Sequence, residues 1–244
     1  MSYDGTNYHG WQFQPNAITV QELIESKLKV LIGSKVGVMG CGRTDTGVHA
    51  SDFYLHCEFD IQDYTTEELC YKLNHLLPND IAISKVIEVG PACHARFDAI
   101  SREYRYYINQ QKNPFSDKYS YLYVREINLE LMREAGKLLL EHKDFTSFSK
   151  LHTDVNNNDC DVSLFQINEL CKGRIEIVIT ANRFLRNMVR SIVGTILEVG
   201  VGKVSVSEFN DIIHSKNRSN AGASAPAKGL FLHKVKFPDG YFTD

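Results

Sequence analysis

At 244 residues the chain can bury a substantial core as one large domain or two smaller ones, and 43% hydrophobic with 23% charged side chains is ordinary for a soluble globular protein. No apolar run reaches the roughly 18 residues of a membrane span, no secretory leader opens the chain, and six dispersed cysteines (Cys41, Cys57, Cys70, Cys93, Cys160, Cys171) read as thiols of a reducing cytosol. A net charge of -3 argues against a general nucleic-acid binder, yet residues 172–236 hold eleven Lys or Arg against four Asp or Glu, which points to a localised anionic partner.

Thr19-Val20-Gln21-Glu22 is a capping box, and Val20, Leu23, Ile24, Leu28, Leu31 and Ile32 follow at helical spacing until Gly33. Residues 36–40 form a short apolar strand that feeds a glycine-rich turn. Phe53, Leu55, Cys57 and Phe59 then alternate with Tyr54, His56 and Glu58, the pattern of a half-buried strand. Thr65 and Glu68 form a second capping box, and Leu69, Leu73, Leu76 and Leu77 carry that helix to Pro78. Residues 81–89 read as another strand.

A second unit is expected to begin near residue 99, dividing the chain into 1–98 and 99–244. Residues 103–109 form a strand, and Asn128 caps a helix with Leu131, Met132, Ala135, Leu138 and Leu139 on its inner face. Asn156-Asn157-Asn158-Asp159 marks an exposed turn. Residues 162–170 and 174–180 make a hairpin around Lys172-Gly173, and residues 184–199 are the third long helix. Ser205 and Glu208 cap a short helix holding Phe209, Ile212 and Ile213, and residues 230–237 close the chain as a strand. Hairpins and strands among these helices predict an α+β fold with helices on one face of an antiparallel sheet, not a doubly wound parallel sheet.

The chemistry concentrates in residues 42–50, where one carboxylate, Asp45, lies between glycines and near Arg43. A buried acid without a partner is expensive, so Asp45 needs either the Arg43 charge or a chemical task. Gly40, Gly42 and Gly47 fit neither a dinucleotide loop nor a P-loop; they let the backbone turn sharply and a large substrate approach. Thr44 and Thr46 are placed to bond locally and hold the loop. His49 is either a satisfied structural histidine or a contact to substrate. Cys41, His49, His56 and Cys57 lack metal-ligand spacing, so no metal is expected, and no serine elbow is present.

Arg183, Arg186, Asn187 and Arg190 stand at helical offsets 0, 3, 4 and 7, so they are predicted to share one polar face of the last long helix. Three arginines there without a carboxylate repel one another unless an anion compensates. In residues 102–107 strand alternation puts Tyr104 and Tyr106 on one face, with Arg105 and Tyr107 on the other, groups suited to stacking a base and holding its phosphate.

Five segments carry a family likeness: residues 3–12 (Tyr3-Asp4-Gly5-Thr6-Asn7-Tyr8-His9-Gly10-Trp11-Gln12), residues 42–50, residues 102–106, residues 184–190 with Ile192-Val193-Gly194, and residues 221–226 with Gly229-Leu230. In this order, spanning nearly the whole chain, they resemble the motifs of the bacterial tRNA pseudouridine synthase A family. The resemblance implies a pseudouridine synthase fold of two similar α+β halves whose antiparallel sheets join into one continuous sheet. It implies isomerisation of uridine to pseudouridine in the anticodon stem-loop of tRNA, without metal, cofactor or redox partner.

Under that resemblance Asp45 is the nucleophile, attacking ribose C1′ or uracil C6. Tyr104 packs against the flipped base and assists proton removal from C5, and Arg190 pairs with Asp45 and keeps it ionised. Arg43 contacts substrate phosphate or the extruded nucleotide, and His49, Arg102, Arg183 and Arg186 are further substrate-binding candidates. The family pattern also implies a cytoplasmic homodimer whose two subunits shape the tRNA site, with no membrane and no other protein partner. Family members usually carry a strand ahead of the Tyr-Asp-Gly motif. Here Met1-Ser2 leads straight into Tyr3, so a late start or a short sheet edge is expected. The rivals are a pseudouridine synthase acting at another RNA site and a non-catalytic tRNA-binding protein, which would tolerate loss of the Asp45 carboxylate.

Overall fold

The computed structural model describes residues 1–60, 64–150 and 157–242. Asn156 of the predicted asparagine turn lies outside the described residues. Internal contacts divide the chain into two compact units, Met1–Ile100 with Leu232–Asp244, and Ser101–Phe231.

In the first unit, α1 (Val20–Ile32) starts where the Thr19 hydroxyl accepts the Glu22 N–H and stops where Gly33 takes φ 77°, a left-handed turn that costs glycine no steric strain. Val20, Ile24 and Leu28 form its buried stripe. Against it packs α2 (Thr66–Leu76), whose capping box is complete: Glu68 N–H donates to the Thr65 hydroxyl and Thr65 N–H to the Glu68 carboxylate. The strands here are short: β1 (Ser2–Tyr3), β2 (Val38–Gly40), β3 (His49–Ala50), β4 (Leu55–Cys57) and β5 (Ile81–Ala82). β2 and β4 form an antiparallel ribbon with Gly40 opposite Leu55.

Two predicted strands are shorter than their patterns. Residues 53–59 contribute only β4, whose three residues are all half-buried, so the alternation does not sort them into two faces. Residues 81–89 contribute only β5. The Ile83 N–H and C=O both bond to the amide of Asn74, each at 2.8 Å, so a side chain from α2 takes the place of a neighbouring strand. β1 has two residues but is no edge: Tyr3 stands opposite Ala50 of β3 on one side and Ile81 of β5 on the other.

The second unit is built on a long hairpin. β6 (Ser101–Asn109) pairs with the later strand β9 (Arg174–Ala181), and β9 pairs with β8 (Val162–Cys171), both antiparallel, while β7 (Tyr121–Leu122) joins β6 in parallel. Gly173, at φ 76°, makes the tight β8–β9 turn. α3 (Leu129–Leu138) lies against β8 with Met132, Ala135 and Leu139 fully buried. Leu131, predicted to face inward, is 37% exposed, while Gly136 is buried. A Cβ on Gly136 would stand 2.1 Å from the Phe165 ring of β8, so that ring fills the space a side chain there would take.

α4 (Met188–Gly200) is buried along nearly its whole length, and α5 (Val206–His214) opens with the complete Ser205–Glu208 capping box. The last strand, β10 (Leu230–Lys236), returns from Leu232 onward to the first unit. There Leu232 C=O accepts the Ser51 N–H at 2.8 Å, giving the strand order β5-β1-β3-β10. The predicted α+β class is the observed one, and among the described residues no helix is long and apolar enough to cross a membrane.

Candidate active site

In the first unit Asp45 stands at the first corner of a turn. Its C=O accepts the Val48 N–H at 3.1 Å, Gly47 takes φ 75°, and Asp45 is half-buried. The turn is braced by the segment that includes residues 3–11. Trp11 N–H donates to Thr44 C=O at 3.2 Å, Gly47 N–H to Tyr8 C=O at 3.2 Å, and the Tyr3 and Thr44 hydroxyls pair at 2.9 Å. Gly10 has φ 87°, and a Cβ on it would lie 2.3 Å from Thr44 O, so only glycine lets the two segments touch.

That brace is itself anchored. The first amides of a helix lack partners within it, and here Val20 N–H and Gln21 N–H donate to Gly10 C=O and Trp11 C=O. The Trp11 indole, 3% exposed, tilts against Phe53 at 4.2 Å, and a Cβ on Gly40 would stand 2.6 Å from it. Helix, aromatic cluster and the Asp45 loop are therefore joined by hydrogen bonds and close packing.

Arg43 and Thr46 of the same loop are exposed. His49 is 1% exposed, and its Nδ1 stands 3.1 Å from the Gly5 nitrogen and 3.0 Å from an Asp4 carboxylate oxygen. These contacts tie β3 to the turn after β1. Cys41 Sγ accepts the Tyr54 N–H, and His56 Nδ1 accepts the Ala95 N–H. Burial pushes the Cys57 thiol up to about 11, which keeps it protonated and a poor ligand.

In the second unit β6 alternates as predicted. Tyr104 is 9% exposed and meets Phe184 edge-on at 5.0 Å, and Tyr106, on the same face, is fully buried with its hydroxyl donating to Pro226 C=O at 2.8 Å. On the opposite face Arg105 is held between Glu103 at 3.0 Å and Glu176 at 3.1 Å. Arg105 is therefore compensated by two carboxylates, and Tyr106 presents no face to a base, while on the Arg105 face the half-buried Tyr107 meets Phe231 edge-on at 5.4 Å.

Arg190 lies in the first turn of α4, half-buried, with its Nε donating to Ala225 C=O at 2.7 Å. The predicted arginine face does not exist as a helical face. α4 begins only at Met188, because Asn187 takes φ 65° while its Nδ2 donates to the Ser224 hydroxyl at 2.6 Å. Arg183 and Arg186 precede the helix. Arg183 reaches Asn157 at 3.1 Å, and Arg186 is exposed, its C=O accepting the Lys150 N–H. Arg102 Nη1 donates to Asn182 C=O at 2.9 Å, so it reaches the residue before Arg183, whose own backbone N–H donates to the Asn182 side chain at 2.7 Å.

A family model described as tRNA pseudouridine synthase matches residues 1–98 and 135–238. The chain belongs to the tRNA pseudouridine synthase family. The tRNA pseudouridine synthase A of Porphyromonas gingivalis is 47% identical over 247 residues, with 99% of this chain and 97% of that protein covered. The Bacteroides fragilis protein of the same name is 46% identical over 242 residues, covering 99% and 96%, and that of Bacillus subtilis 39% over 241, covering 97% of each.

Within this pseudouridine synthase frame, Asp45, Arg183, Arg186 and Arg190 fall inside the matched segments, and Tyr104 in the stretch between them. The residues that sequence reasoning left without a physical role are Gly10 and Trp11. The available signal was the chain's one tryptophan beside a glycine, but its partners, Thr44 and Gly40, are about thirty residues away and no local periodicity connects them.

Proposed function

We propose that the chain isomerises uridine to pseudouridine in the anticodon stem-loop of tRNA, with Asp45 as nucleophile. Family membership supports the reaction class. The observation that supports the residue assignment is the Asp45 turn, clamped by Tyr3, Tyr8 and Trp11 while the residue remains half-buried rather than sealed. A nucleophile needs that combination of a fixed backbone and a residue not sealed in the core.

In this reading the Asp45 carboxylate attacks ribose C1′ or uracil C6 of a nucleotide drawn out of its loop, where extrusion costs less than from a duplex. The N1–C1′ bond breaks, the uracil turns within the pocket, and C5 bonds to C1′. The proton on C5 leaves, N1 takes one up, and the carboxylate is released, so atoms and electrons balance without a co-substrate. Tyr104 packs against the base and assists the C5 proton, and Arg190 contributes its guanidinium cation to the isomerisation. Arg43, Arg102, Arg183 and Arg186 serve as phosphate contacts that position the RNA without reading its sequence. The working form is a cytoplasmic homodimer.

The test is incubation of the purified protein with unmodified tRNAs, followed by position-resolved mapping of pseudouridine. Product in the anticodon stem-loop is expected; its absence from every tRNA overturns the reading. Asp45→Asn should bind the stem-loop and form no pseudouridine, and full turnover by that variant would remove Asp45 as nucleophile.

A further inference from the structure

Tyr106 lies two residues beyond Tyr104 on the same face of β6, and the reaction above gives it no task. Its ring is fully buried, and a Cβ on Gly229 would stand 2.7 Å from it, so that glycine makes room for the phenol. Its hydroxyl donates to Pro226 C=O at 2.8 Å. One residue upstream, Ala225 C=O accepts Arg190 Nε at 2.7 Å, and Ala225 N–H donates to Arg190 C=O at 2.9 Å. Consecutive carbonyls of one short segment thus hold Tyr106 and Arg190.

The rest of that segment is tied down as tightly. The Ser224 hydroxyl accepts from Asn187 at 2.6 Å and from Arg218 at 3.1 Å, and Arg218 also donates to the carbonyls of Ala221 and Gly222. Gly222 N–H donates to the Thr195 hydroxyl, and a Cβ on Gly194 would stand 1.8 Å from Ala223 O, so residues 221–226 lie directly on α4. A segment without regular secondary structure ordinarily meets solvent; this one is built as a splint beside one arginine.

We infer that Tyr106 is a positioning residue that aims the Arg190 guanidinium through the Ala225–Pro226 peptide. An arginine stem is flexible, and fixing its Nε–H leaves the planar fork one direction in which to present its remaining donors. Burial pushes the Tyr106 phenol far above its ordinary value, with the Arg190 charge opposing, so the hydroxyl keeps its proton and remains a donor. The inference rests on the reading in which Arg190 takes part in the isomerisation.

The test is a double-mutant cycle of Tyr106→Phe and Arg190→Lys, followed as pseudouridine formation under single-turnover conditions with wild-type protein alongside. Phenylalanine keeps the ring and its packing and removes only the hydroxyl. In the native background Tyr106→Phe should lower the rate constant about tenfold and leave half-saturating tRNA within about twofold. In the Arg190→Lys background, with no guanidinium to aim, the same change should cost less than about twofold. Ser224→Ala, which loosens the splint from its other end, should show the same dependence on Arg190. Equal losses in both backgrounds, or no loss while Arg190→Lys is impaired, overturn the inference. Arg190→Lys at the wild-type rate overturns the role of Arg190 itself, and a wild-type protein that makes no pseudouridine overturns the underlying function.

Discussion

Gly10→Ala is the sharpest probe of how the Asp45 loop is held. A Cβ at residue 10 would stand 2.3 Å from Thr44 O and 3.2 Å from the Asp45 carbonyl carbon, so the segments must part by about 1 Å to reach ordinary contact. The left-handed φ of 87° adds about 1–2 kcal/mol of strain for a residue with a side chain. Loss of the Trp11–Thr44 hydrogen bond adds about 1 kcal/mol. The total of about 2–3 kcal/mol corresponds to a Tm lower by about 5–10 °C for a chain of this size. A nucleophile displaced by about 1 Å loses about a hundredfold in rate.

Gly33→Ala supplies the comparison, because Gly33 also has positive φ, 77°, but nothing lies within 4 Å of its would-be Cβ. It should lose about 1–2 kcal/mol of stability, the left-handed strain alone, and keep its activity. Both variants are read by thermal unfolding and by single-turnover pseudouridine formation on a stem-loop RNA. A wild-type rate for Gly10→Ala, or equal rate losses in the two variants, would refute the argument that the close approach of Gly10 places Asp45.

Tyr104→Phe should slow isomerisation more than it weakens stem-loop binding, since the ring keeps its edge-on packing with Phe184; an unchanged single-turnover rate would end its proton-transfer role. Glu176 is 5% exposed and accepts from Arg105 and Asn168. Glu176→Ala should cost about 2 kcal/mol in urea unfolding, the low side for a broken buried pair because Arg105 retains Glu103; a loss below about 0.5 kcal/mol would place that charge in solvent. The Asp98 carboxyl is held below its usual range by the Tyr241 hydroxyl first and the His94 N–H second. Its contribution to stability is complete above the unfolded carboxylate value of about 4 and is lost as pH falls through the lower folded value. Tyr241→Phe should flatten the acid-side loss of Tm, and an unaltered pH slope would contradict the assignment.

Features whose causes lie within three or four residues were legible before the structure. The Thr65 and Ser205 capping boxes, the Gly33 stop and the Gly173 turn are closed by local hydrogen bonds or by one backbone angle, so the chain spells them directly. The Asp45 motif was visible for the same reason: a carboxylate among glycines is a local pattern. Where distant partners compete, local pattern failed. The helix predicted from residue 184 starts at Met188 because Ser224 captures Asn187, and the strand predicted to residue 89 stops at Ala82 because Asn74 captures Ile83. Gly136 is buried against the Phe165 ring, a long-range partner that helical spacing alone does not reveal.

By itself, then, the sequence determined most of the segments that become helices and hairpins and singled out Asp45 as the candidate acid, since both follow from spacing along the chain. Only tertiary structure decided what holds that acid in place: Gly10, Trp11 and the open end of α1 meet residues 40 and 44 across the fold. It likewise decided that Arg105 is neutralised and Arg190 splinted, because hydrogen bonds and ion pairs are settled by distance in space.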